Sequence, residues 1–589
     1  MEIKSKNKIT KQLPIEDIIE IILKEREIED KEAFLSPPSP TALTLKDFGY
    51  KKKDINTLIA TLSRIYISHG TIVVYTDYDA DGITGGAILW ETLHLLGFHV
   101  MPYVPNRITE GYGFSNKGLN TIKKQYDPNL IISVDHGITA VDQIRYAKEK
   151  LGIPIIVTDH HHKQEHIPTD AELIVHIPAL SGSGVAYFVA KEIYTSFCHR
   201  QPNSGSNTAS SQLQTPNATI RKNISKMTKN IKKLEHNFNI DYVAIASVGT
   251  VADLVPLVGP SRSLVSYGLR AFSRMKRCGF THLLKEAGIE GQPISTYEVG
   301  FIIAPRINAI GRLEHAIDAL RLICTTSDKR AKKLAQKMGT INTKRQELVK
   351  EQVAEAEHMV ESQKKDGKVP HLIILYSDHW HEGVIGLIAS AMGEKYYRPT
   401  IVMTRGDGHY KASVRSIHGF HITEFLGQFQ NYLVHYGGHA GAAGFTILEK
   451  KRDSFIKKAQ FRASQQITDA LLKRTIIADL EVPLSLVSKK LSTAIQNLKP
   501  FGIGNPQPTF VSSVQVIHAR VLGKGKKHLK LQVKGLTPVS SPLETIAFNQ
   551  ANIFKKLHKN QTIRIVYQIR LNRWNGRETL QGLIKHIEL

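Results

Sequence analysis

Seven acidic and imidazole side chains stand at or just past the ends of three apolar, β-like runs. TIVVYTDYDADGIT (residues 71–84) carries Asp77, Asp79 and Asp81; LIISVDHGI (130–138) carries Asp135; IPIIVTDHHH (153–162) carries Asp159, His160 and His161. The carboxyl ends of parallel strands converge on one crevice, so these side chains are expected to share it. An Asp after a strand also serves as the N-cap of the next helix, and each segment taken alone has that explanation. Three such segments, one with the pattern DxDxDG and one with a His pair, exceed what capping needs. Carboxylates gathered this closely repel, and a divalent cation is the counter-charge that lets them stay ionised. Several Asp with His and no Cys favour Mn²⁺ or Mg²⁺ over structural zinc. The chemistry expected is hydrolysis.

The elements that must position these groups follow from periodicity. Residues 83–97 have helical apolar spacing that stops at Gly97, residues 99–104 return as a strand, and residues 140–150 repeat the unit before Gly152. Alternation of this kind over residues 49–325 predicts an α/β domain with a doubly wound parallel sheet. Residues 1–48 read as a helical lead, with Ile15, Ile18, Ile19, Ile22 and Leu23 on one face and a Pro-rich connector at 36–40. Residues 200–236 are polar and then basic, and are expected to be an exposed, largely disordered insertion. Leu334, Met338, Ile341, Leu348, Val349 and Val360 predict a long connecting helix within 326–368. A second α/β domain is expected over 369–462. Short β runs over 475–589, with a hairpin signal at Asn575 and Gly576, suit a small β-barrel of oligonucleotide-binding (OB) type.

The 589 residues carry 78 Lys and Arg against 53 Asp and Glu, a net charge of +25. That balance favours a polyanionic partner, nucleic acid foremost. Cys198, Cys278 and Cys324 have neither disulfide nor metal-site spacing, which fits a reducing cytoplasm. No export signal and no membrane-spanning run is expected.

DYDADGIT, VDHGI, DHH and GTVADLVPL (249–257) together are similar to the four motifs of the DHH phosphoesterase superfamily. VPNRITEGYGF (104–114), PRINAIGR (305–312), WHEGVIGLIAS (380–390), GGHAGAAG (437–444) and PFGIGNPQPTF (500–510) narrow the resemblance to the RecJ family, exonucleases that degrade single-stranded DNA from its 5′ end. The resemblance implies a two-metal centre with Asp77, Asp79, Asp135, His160 and Asp253 as ligands, Asp135 and Asp253 bridging, and His161 donating to the scissile phosphate. It implies for Asp81 and Asp159 the orientation of ligands or water. Two ions about 3.5–4 Å apart can activate a hydroxide and stabilise charge on the attacked phosphate.

Arg107, Arg306, Asn308 and Arg312 sit in short motifs rich in Gly, Pro and Asn and are expected to contact phosphate. Ser413, Arg415 and His439 are expected to grip substrate from the second domain, with Arg107, Ser413 and Arg415 holding the terminal 5′-phosphate. Lys524, Lys526, Lys527, Lys530 and Lys534, with Phe548, Tyr567 and Trp574, suit a single strand whose backbone follows charge while bases stack; for Phe548 a place in the core is the stronger expectation. The chain departs from the family at His136, His162 and Lys499 and in the 200–236 segment. The expected protein is a monomeric exonuclease with two Mn²⁺ or Mg²⁺, acting on single-stranded DNA beside a helicase and a single-strand-binding protein. A small-substrate phosphoesterase leaves the charge and the β domain without a role, and an inactive replication scaffold conflicts with the filled ligand positions.

Overall fold

The computed structural model describes residues 2–10, 13–199, 218–536, 541–574 and 577–589. These form two compact units, one of residues 38–472 and one that joins residues 1–37 to 473–589. Among the described residues no helix is long and apolar enough to cross a membrane.

The larger unit is built first on a fully parallel sheet of β1 (Thr71–Thr76), β2 (His99–Tyr103), β3 (Leu130–Val134), β4 (Ile155–Asp159) and β5 (Leu173–His176), in the order β2-β1-β3-β4-β5. Ile72 to Tyr75, Leu130 to Ile132 and Ile155 to Val157 are buried, which is why these strands read as unbroken apolar runs and not as alternation. Chain order reverses between β1 and β3, and a crevice opens at the carboxyl ends of strands on either side of such a switch. Helix α1 (Ala80–Leu95) follows β1 directly and packs against α2 (Gly182–His199) and, past a third helix, against α4 (Tyr242–Ala252).

That third helix corrects an expectation. Residues 218–236, read from sequence as part of a disordered insertion, form helix α3 (Ala218–His236); residues 200–217 lie outside the described residues. Leu234 is fully buried, Asn230 Nδ2 donates to the Leu95 carbonyl at 2.9 Å, and Lys233 Nζ pairs with Glu91 at 2.9 Å. Glu91 also pairs with Arg277, whose Nε holds Asp241 at 3.0 Å. Burial alone would push the Glu91 carboxyl up, but Arg277 and Lys233 outweigh it and hold it below the usual carboxylate range. The sequence does carry a helical signal here, Ile220, Ile224, Met227, Ile231 and Leu234 at i, i+4, i+7, i+11 and i+14, but it is set in a run so rich in Lys and Asn that composition points to an exposed insertion.

Helix α5 (Ala304–Leu313) leads through the eight-residue helix Ile317–Cys324 into α6 (Asp328–Ser362), which starts at the N-cap Ser327 and spans about 50 Å. A second sheet follows: β6 (Ile373–Ser377), β7 (Thr400–Arg405), β8 (His409–Arg415), β9 (Leu433–His439) and β10 (Ala442–Leu448), in the order β9-β10-β8-β7-β6. Only β6 and β7 run parallel; β7–β8, β8–β10 and β9–β10 are antiparallel.

In the smaller unit, β11 (Thr475–Glu481), β12 (Phe510–Leu522), β13 (His528–Gly535), β14 (Leu543–Ala547), β15 (Thr562–Trp574) and β16 (Arg577–Glu588) curl so that β12 pairs with both β13 and β15, as an OB barrel does. The turn at Asn575 and Gly576 lies outside the described residues. The strand Glu2–Lys8 pairs in parallel with β11, so residues 1–37 belong with this barrel and are not a purely helical lead to the first domain. EIKSKNK has no apolar alternation, and its strand exists through its distant partner. Phe548, expected in the core, is 46% exposed with its ring edge-on to His528, while Tyr567 is fully buried and its hydroxyl meets Ser512 at 2.9 Å.

Candidate metal and phosphate site

Asp77 leaves β1 with its backbone N–H donating to the Val134 carbonyl at the end of β3. Asp79 is the N-cap of α1, its Oδ1 accepting from the N–H groups of Asp81 (2.9 Å) and Gly82 (3.0 Å). The capping role and a site role therefore coexist in one carboxylate. Gly82 has no alternative, since a Cβ there would lie 2.7 Å from the Asp77 side chain and carbonyl. Asp135 follows β3 with φ +70°, a strained conformation for a residue other than glycine. Asp253 caps the far end of α4, donating its N–H to Gly249 O at 2.9 Å.

His160 gathers these groups. Its Nε2 stands 3.2 Å from Asp135 Oδ1, 3.4 Å from Asp253 Oδ2 and 3.9 Å from Asp81 Oδ2. Three sets of atoms, from Asp77, Asp79 and Asp135, from Asp81, His160 and Asp253, and from Asp135, His160 and His161, each lie within 4.8 Å of one another. Asp77 Oδ1, Asp135 Oδ1 and His160 Nε2 are buried with no hydrogen-bond partner. Burial and neighbouring carboxylates push Asp77, Asp79 and Asp135 above the usual range and Asp253 up to about 8. Burial keeps His160 below its ordinary value, which favours the neutral imidazole a metal ligand needs. Orphaned acceptors, clustered negative charge and a neutral imidazole are the donor set a divalent cation takes.

Asp81 and Asp159 are saturated by other work. The Asp81 oxygens accept from Gly182 N (2.6 Å) and Ser183 N (2.9 Å), fixing the start of α2. Asp159 accepts from Ile138 N (2.8 Å), His160 N (2.7 Å) and His161 Nδ1 (2.8 Å). Burial would lower His161, but the hydrogen bond and charge of Asp159 raise it to about 9.

A cleft of about 790 Å³ opens beside this cluster, between the two α/β parts of the larger unit, lined by Arg107, Tyr112, Arg312, Lys411, Ser413 and Arg415 among others. The Arg107 guanidinium lies 4.8 Å over the Tyr78 ring. Arg312 Nη1 donates to Gly383 O at 3.0 Å, and burial with the charges of Arg107 and Arg345 pushes it down to about 10. Arg415 reaches Ser390 Oγ (3.1 Å) and Ser413 Oγ (3.3 Å). Lys411 is paired with Glu382 at 2.7 Å, and Arg107, Arg312 and Arg415 leave the cleft with more cationic than acidic side chains, which suits an anion.

Three expected substrate contacts have other partners in this structure. Arg306 is paired with Glu286 at 2.8 Å and does not line the cleft. Asn308 accepts from Ala80 N at 2.7 Å and so braces the start of α1. His439 sits at the turn between β9 and β10, its Nδ1 accepting from Gly441 N at 3.2 Å, outside the cleft lining. Tyr112 was not singled out from sequence: its hydroxyl donates to Asp135 O at 3.0 Å and lies 3.2 Å from His161 Nε2. The signal was an aromatic between Gly111 and Gly113, both at positive φ, in the GYG of VPNRITEGYGF.

Parallel sheet, carboxylate cluster and opposing arginine cleft define the class. Residues 71–213 match the DHH family, N-terminal domain, residues 370–465 the DHHA1 domain, and residues 478–586 the RecJ OB domain. The chain is 30% identical over 554 residues to the single-stranded-DNA-specific exonuclease RecJ of Haemophilus influenzae, covering 91% of this chain and 90% of that one. It is 31% identical over 526 residues to the RecJ of Bacillus subtilis, covering 87% of this chain but 61% of that longer relative. The crystal structure of RecJ in complex with Mn²⁺ from Thermus thermophilus superposes with a TM-score of 0.78 at 25% identity, over 100% of this chain and 79% of that one. The chain belongs to the RecJ family.

Proposed function

We propose that this chain is a metal-dependent exonuclease that degrades single-stranded DNA from its 5′ end and releases 5′-mononucleotides. The observation that carries this reading is the buried cluster of Asp77, Asp79, Asp135, Asp253 and His160, with orphaned acceptors, opening onto a cleft walled by Arg107, Arg312 and Arg415. Relatives named as single-stranded-DNA-specific exonucleases, one of them crystallised with Mn²⁺, support it.

Asp77, Asp79, Asp135, His160 and Asp253 would hold two Mn²⁺ or Mg²⁺, which would supply an activated water and Lewis-acid stabilisation of charge on phosphate oxygens. Asp159 fixes His161 by its Nδ1, and an imidazole protonated near neutral pH presents Nε2–H to the scissile phosphate. Asp81 works at one remove, holding the start of α2 against the cluster. Arg107, Ser413 and Arg415 take the terminal 5′-phosphate, a monoester more highly charged than any internal diester. Hydrolysis breaks the P–O3′ bond of the next phosphodiester, so the shortened strand again ends in a 5′-phosphate and returns to the same anchor. Three free cysteines suit a reducing cytoplasm and the basic charge a nucleic acid partner; the further proposal is a monomer working with a helicase and a single-strand-binding protein.

The test is digestion of single strands labelled at one end or the other, with Mn²⁺ or Mg²⁺. The expected result is immediate release of labelled mononucleotide from the 5′-labelled strand only. Release first from the 3′ label, or internal fragments, overturns the polarity.

A further inference from the structure

One exposed aromatic pair has no part in the reaction as derived. Residues 296–313 form one continuous helical rod: Thr296–Glu298, a turn of π-helix at Val299–Ile303, and α5. Asn308, near one end, braces Ala80 beside the carboxylates. Toward the other end Tyr297 and Phe301 stand 60% and 72% exposed, their rings stacked at 5.0 Å with an interplanar angle of 28°. A lone exposed aromatic needs no explanation, but two pre-stacked on one rod form an apolar platform that water penalises.

Its surroundings fit the substrate. Phe301 and Asn308 are seven residues apart, about 10 Å along a helix, a distance a single strand crosses in one or two nucleotides. Between them Arg306 is held to the rod, Nη1 donating to the Ile302 carbonyl at 2.9 Å, with its charge already matched by Glu286, so what the rod offers a strand here is aromatic. Val251 would lie 3.8 Å from a Cβ on Gly300; one turn on, Leu254 is 67% exposed at φ +60°, directly after Asp253. The helix that ends at Asp253 thus packs by Val251 against the rod beside Phe301, and Leu254 adds an exposed apolar side chain next to Asp253. π-Turns collect at functional sites, and the one at 299–303 lies directly under Phe301.

We propose that Tyr297 and Phe301 are a stacking platform for unpaired bases of the strand just beyond the scissile nucleotide, a proposal that rests on the single-strand exonuclease reading. Stacking of a base on an aromatic face is sequence-tolerant, as degradation of any sequence requires.

The experiment uses the full chain in metal-chelating buffer and oligonucleotides with 2-aminopurine at each of the first eight positions in turn. Wild type is expected to quench the probe strongly at one or two adjacent positions. The double variant Tyr297→Ala/Phe301→Ala loses the quench there alone, and Phe301→Trp keeps it. A single abasic site at the same position weakens wild-type binding about five- to a hundredfold and leaves the double variant unaffected. A quenching profile that is the same in both proteins overturns the platform and leaves the patch to a protein partner. A wild-type chain that binds no single strand overturns both the platform and the function it rests on.

Discussion

At the scale of the residue, the site divides carboxylates that are satisfied from carboxylates that are not. Asp81 and Asp159 spend their oxygens on backbone N–H groups and His161, whereas Asp77 and Asp135 keep buried oxygens without partners. Asp135→Asn is therefore expected to lower turnover by several orders of magnitude while raising the melting temperature of the metal-free protein, because one of four mutually repelling acids becomes neutral. Steady-state kinetics and thermal melting with and without Mn²⁺ check both halves; a variant that keeps more than about a tenth of wild-type turnover would falsify the ligand assignment. Arg415→Ala is expected to erase the preference for a 5′-phosphate over a 5′-hydroxyl end, since a charge-assisted contact contributes roughly 1.5–3 kcal/mol. Comparing kcat/KM on the two substrates reads it directly. Asp77, Asp79 and Asp135 were legible in sequence because they stand just past the ends of apolar strands, whereas Asp253, at the end of a helix, was legible only through the motif resemblance. The diversion of Arg306 to Glu286 and of Asn308 to Ala80 was not, since a motif names residues without the partners that claim them.

At the scale of the element, strands and helices of the parallel sheet could be read from apolar period and caps; α3 has the period too, in Ile220, Ile224, Met227, Ile231 and Leu234, but its Lys and Asn content argues for an exposed insertion. Its anchor is Glu91, buried between Lys233 from α3 and Arg277. Replacing one member of such a group leaves a buried charge short of a partner, so Glu91→Gln is expected to cost about 3–5 kcal/mol at neutral pH. The sign of the pH dependence follows from a carboxyl whose folded pKa lies below its ordinary 4.5. Its contribution is fully present above that value and is lost as pH falls through it toward the folded pKa. Urea denaturation of wild type and Glu91→Gln should thus give a stability gap that is constant above about pH 5.5 and narrows below about 4.5. A gap that widens on acidification would show that Glu91 is neutral in the folded protein.

At the scale of the whole molecule, the cut that isolates the catalytic unit falls at two places in the chain, after residue 37 and after residue 472. A fragment of residues 38–472 is expected to fold and to retain hydrolysis of short strands. It should bind long single strands more weakly and with a shallower dependence of log affinity on log salt, because Lys524, Lys526, Lys527 and Lys534 are exposed on the barrel it lacks. A salt titration of fragment and full chain on one long oligonucleotide measures this; identical slopes would assign the backbone contacts to the catalytic unit alone. The barrel itself was legible in its short β runs, but its extra strand, Glu2–Lys8, was not, because the segment is polar throughout and gains its conformation only from Thr475–Glu481. That pairing sets a timetable for synthesis. At about 5–20 residues per second, the ribosome delivers the partner of Glu2–Lys8 on the order of half a minute or more after the strand itself has emerged. Throughout that wait the segment is an unpaired stretch of chain in a crowded cell, and the charges of Lys4, Lys6 and Lys8 along it are the kind of guard that keeps a strand-to-be from pairing with the wrong neighbour.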